Sequence, residues 1–373
     1  MSNAGINWDG LVQSIQDGEA VLVLGPDAIP FYSAVSTTDY EEMTFAQRVQ
    51  LQVINSLGDD ISYHYKRDNL FQFKSPSAKQ SALKEVRSVA RSTDWHPDKE
   101  LLRQLVSMPF PVILNISPDK TIYDAFIAYY KEPQFDYFTT KDKPNPTKLT
   151  YPDGLNQPII YNLCGSVLDK LDSVVLDYND LLDLIKNLLM DNGVPQQLIR
   201  KLQEADRFIL LGFELERWYF QLLLHYLNKL ESSYFNNPNL NFPILANVSE
   251  DTKEFVMNQF NIKHIATSRY EFELLYKACE ARGILRDINE GGSPTESTAR
   301  AYLGAGRFEE LFTLLEGLIS NPDLKIELAH LKGRYYSCIE KKRNEEVSDT
   351  DYSQEINRIK YSLITFSSQI HTS

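Results

Sequence analysis

Cysteine is scarce: Cys164, Cys279 and Cys338 are the three in 373 residues, far apart and odd in number. No two of them have metal-ligand spacing, and the pattern favours a reduced, cytoplasmic setting. Long apolar runs are missing as well. No stretch approaches the roughly 18 residues that a membrane span needs. The N-terminus shows no basic region followed by an apolar one, so no signal peptide is expected. Met1-Ser2-Asn3-Ala4 reads as a vector-derived remnant, and residues 1–7 as a tail. Positive charge is in deficit, with 38 Lys and Arg against 51 Asp and Glu, for a formal net charge of −13. Such a surface repels phosphate backbones and anionic lipid, so direct binding to nucleic acid or membrane is not expected. None of the six histidines falls at ligand spacing, and the sequence has no P-loop, no G-x-S-x-G and no metal-site pattern.

What is present is an ordinary apolar fraction, enough for a sizeable core, in a chain long enough for two domains. Trp8, Leu11, Val12 and Ile15 repeat at i, i+3, i+4, i+7, the apolar stripe of a short helix. The run Ala20-Val21-Leu22-Val23-Leu24 follows and closes on Gly25-Pro26; apolar on both faces, it suits a buried parallel strand. Similar runs recur at 111–114, 158–163, 208–211, 243–246 and 263–266, separated by helical patterns such as 119–130, 178–190 and 215–230. Strands alternating with helices predict a parallel, doubly wound α/β sheet, which takes ligands at the carboxyl ends of its strands. Residues from 39 to about 108 read as a mostly helical insertion over that edge. Residues 284–294, with Gly291-Gly292-Ser293-Pro294, read as a linker. Beyond it lie four amphipathic stretches, 297–305, 308–319, 324–342 and 352–366, the pattern of a small helical bundle. From Thr295 onward 10 basic residues face 12 acidic ones, so this part is nearly neutral and the rest carries −11.

Four stretches at strand ends could carry chemistry. Gly25 permits a turn after the first strand, where phosphate binds backbone N–H groups in such folds, but Pro26 donates none and Asp27 places negative charge there. Asn115, Ser117 and Asp119 offer polar groups after the second strand; Ser117 or Asp119 equally serves as a cap for the next helix. Cys164, before Gly165-Ser166, is either a nucleophile, given a nearby base or cation, or a small buried apolar residue. After Gly212, Glu214 and Arg217 stand at a helix start as a ligand contact or as a solvated ion pair, and Trp218 reads as core.

The order of these pieces is more specific than any one of them. A glycine loop, a polar motif ending in Asp119, Leu163-Cys164-Gly165-Ser166, Val174-Val175-Leu176-Asp177-Tyr178 and Leu211-Gly212-Phe213 together resemble the SIR2-like domains of prokaryotic conflict systems. The resemblance spans residues 8–283 and implies a Rossmann-like parallel sheet that binds NAD or an ADP-ribose-like nucleotide. It implies contacts from Gly25, Asp27, Ser117, Asp119, Cys164, Gly165, Ser166, Gly212 and Glu214. Two positions depart from the family: Cys164 falls on its catalytic histidine and Ser117 on the asparagine that holds the nicotinamide ribose. Cysteine has neither imidazole's two hydrogen bonds nor its pKa near neutrality. The expectation is therefore a degenerate sensor or adaptor and not an enzyme. The alternatives are an active NAD hydrolase, with Cys164, Asn115 or Ser117 as its candidate groups, and a scaffold with an empty cleft. Residues 295–371 are similar to death-like effector-associated domains, through Ala305-Gly306-Arg307-Phe308, Lys332-Gly333-Arg334-Tyr335 and Asn357-Arg358-Ile359-Lys360-Tyr361-Ser362-Leu363. That likeness implies recruitment of a sensor or effector protein with a similar domain, or self-association, in defence against phage. Arg334, Tyr335, Arg358 and Tyr361 are its candidate contact residues.

Overall fold

The computed structural model describes residues 8–34, 40–92, 94–139, 149, 157–189, 194–230, 239–242, 249–259, 262–265, 270–288, 299, 302–303, 307–319, 321–344 and 347–370. The N-terminal tail, most of the expected linker and the expected strand at 243–246 lie outside them. The chain divides into two compact units, residues 1–123 with 133–287, and residues 124–132 with 288–373.

The first unit begins with α1 (Trp8–Gln16), whose apolar stripe buries Leu11, Val12 and Ile15. Next come β1 (Ala20–Leu24), β2 (Pro30–Ala34), β3 (Tyr40–Thr44), α2 (Phe45–Leu57), β4 (Ile61–Tyr65), β5 (Leu70–Phe73), α3 (Pro76–Arg91), β6 (His96–Pro97) and α4 (Lys99–Ser107). They are followed by β7 (Val112–Asn115), α5 (Thr121–Tyr129, grouped with the second unit from Asp124 onward), β8 (Gln134–Tyr137), β9 (Ile159–Asn162), α6 (Tyr178–Leu189), α7 (Gln196–Glu204) and β10 (Arg207–Leu211). Last are α8 (Trp218–Leu230), β11 (Asn239–Phe242), α9 (Glu250–Gln259), β12 (Ile262–Ile265) and α10 (Tyr270–Arg282).

Seven of these strands form one parallel sheet in the order β12-β11-β10-β1-β7-β9-β8. β1 is central and buried on both faces, as its continuous apolar run predicts. Val21, Val23, Leu114, Tyr161, Phe208 and Leu210 face a core completed by Leu181 and Leu184 of α6, Leu198 and Leu202 of α7, and Phe220 of α8. The chain winds outward from β1 through β7 to one side and returns through β10 to the other. The switch point is thus the crevice between the carboxyl ends of β1, β7 and β10. The α/β reading of the sequence holds, with β8 as an unforeseen edge strand.

The insertion is mostly helical, as expected, through α2, α3 and α4, but it also carries strands that the sequence did not show. α2 and α3 do pack together, but β3 pairs antiparallel with β2, which pairs with β6, and β4 and β5 form a hairpin. The cause is tertiary: β3 (Tyr-Glu-Glu-Met-Thr) has a weak strand pattern, and its partner β2 lies before the insertion. Asn69, at φ 56°, supplies the left-handed residue of the hairpin turn. Thr44 and Gln47 form a reciprocal capping box on α2, and Ser75 caps α3 ahead of Pro76. Near the end of the unit, Arg286 is buried; its guanidinium donates to the carbonyls of Val106, Met108 and Phe110 at 2.9, 2.6 and 2.7 Å.

In the second unit, α11 (Phe308–Leu318), α12 (Pro322–Arg343) and α13 (Asp349–Gln369) surround a core of Leu311, Phe312, Leu315, Leu331, Ile359, Leu363 and Phe366. Asn321 and Ser348 cap the two longer helices. No strand occurs among the described residues of this unit. Of the first amphipathic stretch, Ala299, Tyr302 and Leu303 are described, and all three are buried. No described helix in the chain is long and apolar enough to cross a membrane.

Candidate functional site

The polar residues singled out in the sequence meet at the carboxyl edge of the sheet, after β1, β7, β9 and β10. The loops after β1 and β10 press on each other. A Cβ on Gly25 would lie 2.1 Å from the carbonyl oxygen of Gly212, and one on Gly212, at φ 77°, would lie 2.2 Å from the nitrogen of Ala28. Both glycines are therefore required by close approach. The same contact uses the backbone donors. Gly25 N–H bonds the Leu211 carbonyl at 2.8 Å, Asp27 N–H the Gly212 carbonyl at 3.3 Å and Ala28 N–H the Gly25 carbonyl at 3.2 Å. With Pro26 lacking a donor, these N–H groups are not free to cradle a phosphate.

Asp27 is about nine-tenths buried. Its Oδ2 accepts no hydrogen bond among the described residues and stands 4.0 Å from Nη2 of Arg217. Burial pushes the Asp27 carboxyl above the usual aspartate range; Arg217 opposes the rise and Glu214 adds to it. Arg217 also holds Glu214 at 2.8 Å, and Nη1 lies 3.4 Å from the Tyr219 hydroxyl. Glu214 and Arg217 do form an ion pair, but Arg217 is largely buried, not solvated, and Trp218 is part-exposed, not core. Arg217 thus links the loops after β1 and β10, a role its sequence position at a helix start did not disclose.

On the other side of the crevice the polar groups satisfy one another. Asn115, at the end of β7, donates from Nδ2 to the Ser117 carbonyl at 2.8 Å and to Oδ1 of Asn162 at 3.0 Å. Its Oδ1 accepts from Ser117 N–H at 3.3 Å. Asn162, fully buried at the end of β9, donates to the Asp119 carbonyl at 2.9 Å. The Ser117 hydroxyl donates to the Asp119 carboxylate, whose other oxygen accepts from Thr121 N–H at 2.8 Å and caps the start of α5. Asn115 is in this way committed to the fold. Asn162, the hub of the network, was missed in the sequence; the available signal was an asparagine closing a wholly apolar strand.

Gly165, at φ 87°, packs its α-carbon against the Ser173 carbonyl, and Ser166 N–H donates to Ser173 Oγ at 3.0 Å. The Ser166 hydroxyl donates to Asp169, which pairs with the buried Lys120 at 2.8 Å. Gly165-Ser166 therefore builds a turn. Cys164 lines an apolar cavity of about 50 Å³ with Ile116, Leu184, Tyr219, Phe220 and Leu223. It is half-buried in this apolar lining, and burial pushes its thiol up to about 12. That shift disfavours the thiolate that a nucleophile requires. No group of three or more His, Cys, Asp or Glu placed to hold a metal occurs among the described residues.

In the second unit, an open groove between α12 and α13 is lined by His330, Gly333, Arg334, Lys341, Glu355 and Arg358, among others. Arg334 pairs with Glu355 at 2.6 Å, and Arg358 lies 3.6 Å from the same carboxylate. Tyr335 is not a groove residue; it stacks on Phe308 with ring centroids 4.5 Å apart, packed on the core. The side chain of Tyr361 lies outside those described.

Residues 295–371 match the family model described as effector-associated domain 11. No curated protein matches the chain.

Proposed function

We propose that this protein is a non-hydrolysing sensor or adaptor of a bacterial conflict system directed against phage, acting in the cytoplasm. Residues 295–371 recruit a partner carrying a similar helical domain or join copies of the chain. The observation that carries the reading is the effector-associated match over that segment. The cationic wall of the α12–α13 groove, with Arg334 and Arg358, is the recruiting face. The α/β unit is read as a degenerate SIR2-like fold whose ligand, an adenine nucleotide or ADP-ribose-like molecule, sits on the β1–β10 side of the crevice. There the Asp27 carboxyl could bond a ribose hydroxyl and Arg217 an anionic group. Hydrolysis of NAD is disfavoured because, among the described residues, no His, Asp, Glu or Lys lines the cavity around Cys164.

Two measurements on the full chain test this. Purified protein incubated with NAD is expected to leave it intact; turnover that is lost in Cys164→Ala would overturn the non-hydrolysing part. A pull-down from the native host should capture a protein with a similar helical domain, or further copies of the chain. Arg334→Glu/Arg358→Glu should lose it. Equal capture by both chains sinks the recruiting face.

A further inference from the structure

Among the described residues, β4 is an uncovered strand edge. It pairs with β5 on one side and with no other strand among the described residues. β5, by contrast, is covered on its far side, where Phe71 N–H bonds the Leu176 carbonyl at 2.9 Å. Unpaired strand edges template further pairing unless charge, proline or a covering element blunts them. β4 contains no proline and no charged residue. Large apolar side chains are exposed at it: Tyr63 is 59 % exposed on the strand and Ile54 37 % on α2. Ile54 and Tyr63 line one open groove together with Ile61 and Tyr65.

The charges bracket this edge with opposite signs. The segment reads Asp59-Asp60-Ile61-Ser62-Tyr63-His64-Tyr65-Lys66-Arg67. Laid antiparallel against itself about Tyr63, it sets Asp60 opposite Lys66 and Asp59 opposite Arg67, at both ends. Ile61 then faces Tyr65, and the two copies of Tyr63 lie side by side. Directly opposed residues share a face of the sheet, so both tyrosines fall on the same side. A two-fold contact is self-complementary in this way, each residue meeting its partner twice. Lys66, Asp59 and Asp60 are exposed; Arg67 keeps most of its surface exposed while contacting Glu216 at 3.7 Å.

We infer that β4 is a self-association edge, and that its occupant is β4 of a second copy of this chain. The contact is weak and reversible for two reasons. The strand is five residues long, and a register irregularity between Ile61 and Tyr63 interrupts its regular ladder. It is independent of the recruiting role given to residues 295–371.

Sedimentation velocity of the full chain, from low to high micromolar, tests it. Wild type should shift from monomer to dimer. Asp60→Lys and Lys66→Glu each place like charges opposite at both symmetric positions and should weaken the dimer at least about tenfold. The two variants mixed in equal amounts should dimerise again. In the mixed pair the introduced lysine of one chain meets the introduced glutamate of the other, and the unchanged Lys66 meets the unchanged Asp60. A misfolded variant would not be rescued by mixing. A wild type that stays monomeric, single variants that dimerise like wild type, or a mixture that does not recover would each overturn the proposal. Association through residues 295–371 survives both single variants, so it is told apart from this edge.

Discussion

On the β7–β9 side of the crevice, Asn115, Ser117, Asp119 and Asn162 bond to one another and to nearby backbone. On the β1–β10 side, Asp27 is nearly as deeply buried as Asn115 but keeps an oxygen without a hydrogen-bond donor. Both sides occupy the same edge of one sheet, and burial is similar. What differs is satisfaction. A closed amide network contributes stability and leaves little for a ligand, whereas a buried carboxyl short of a donor costs stability and keeps binding capacity in reserve.

Four substitutions break or sharpen this contrast. The largest effect belongs to the seam between the two loops. Gly25→Ala drives a methyl into the Gly212 carbonyl, and should destabilise the α/β unit by about 3 kcal/mol or more, read from the denaturant midpoint. Asn162→Ala comes next. It removes one acceptor of the Asn115 amide and the side-chain donor to the Asp119 carbonyl, at a cost of about 2–3 kcal/mol in the same assay. A loss below half a kilocalorie would mean the network is not the closed structure described.

Asp27→Asn should act in the opposite direction. Because the folded-state pKa of Asp27 is raised, its contribution to stability is present below the ordinary value of 3.8 and is lost as pH rises through the folded value. The asparagine variant is therefore expected to be more stable than wild type at pH 7, by on the order of 1 kcal/mol, with the gain vanishing below pH 3.8. Thermal melts across pH check the sign; a variant less stable at pH 7 would place Asp27 among the satisfied groups. Cys164→Ala is the mildest change. It enlarges a small apolar cavity and should cost about 1 kcal/mol. In wild type, labelling of Cys164 by a water-soluble thiol reagent at neutral pH should be slow, since the thiol titrates near 12.

The sequence disclosed this architecture unevenly. β1, β7, β9 and β10 were legible because central parallel strands are apolar on both faces, and Ala20–Leu24 or residues 208–211 show it residue by residue. β8 was not: Gln-Phe-Asp-Tyr alternates, as an edge strand does, and is too short to stand out. β3 and the β4–β5 hairpin depend on pairing that single-segment periodicity does not carry. At the site, Gly25, Asp27, Asn115, Ser117, Asp119, Cys164 and Gly212 were all placed at strand ends from the apolar runs that precede them. Their use was hidden, because Asn162 and Arg217 decide which donors are taken, and both act across loops distant in sequence.

Arg286 has a practical bearing on where the chain can be divided. Its guanidinium holds three carbonyls from the last turn of α4 to the approach to β7, so the α/β unit is moored at its own exit. A fragment cut before Arg286 would uncover those carbonyls beside a central strand and melt early for a reason unrelated to the helical segment it had lost. Cut after Asp287, the fragment keeps its mooring. The same anchor means that tension arriving along the chain from residue 288 onward meets a buried, triply bonded side chain before it can reach the strand that carries Asn115.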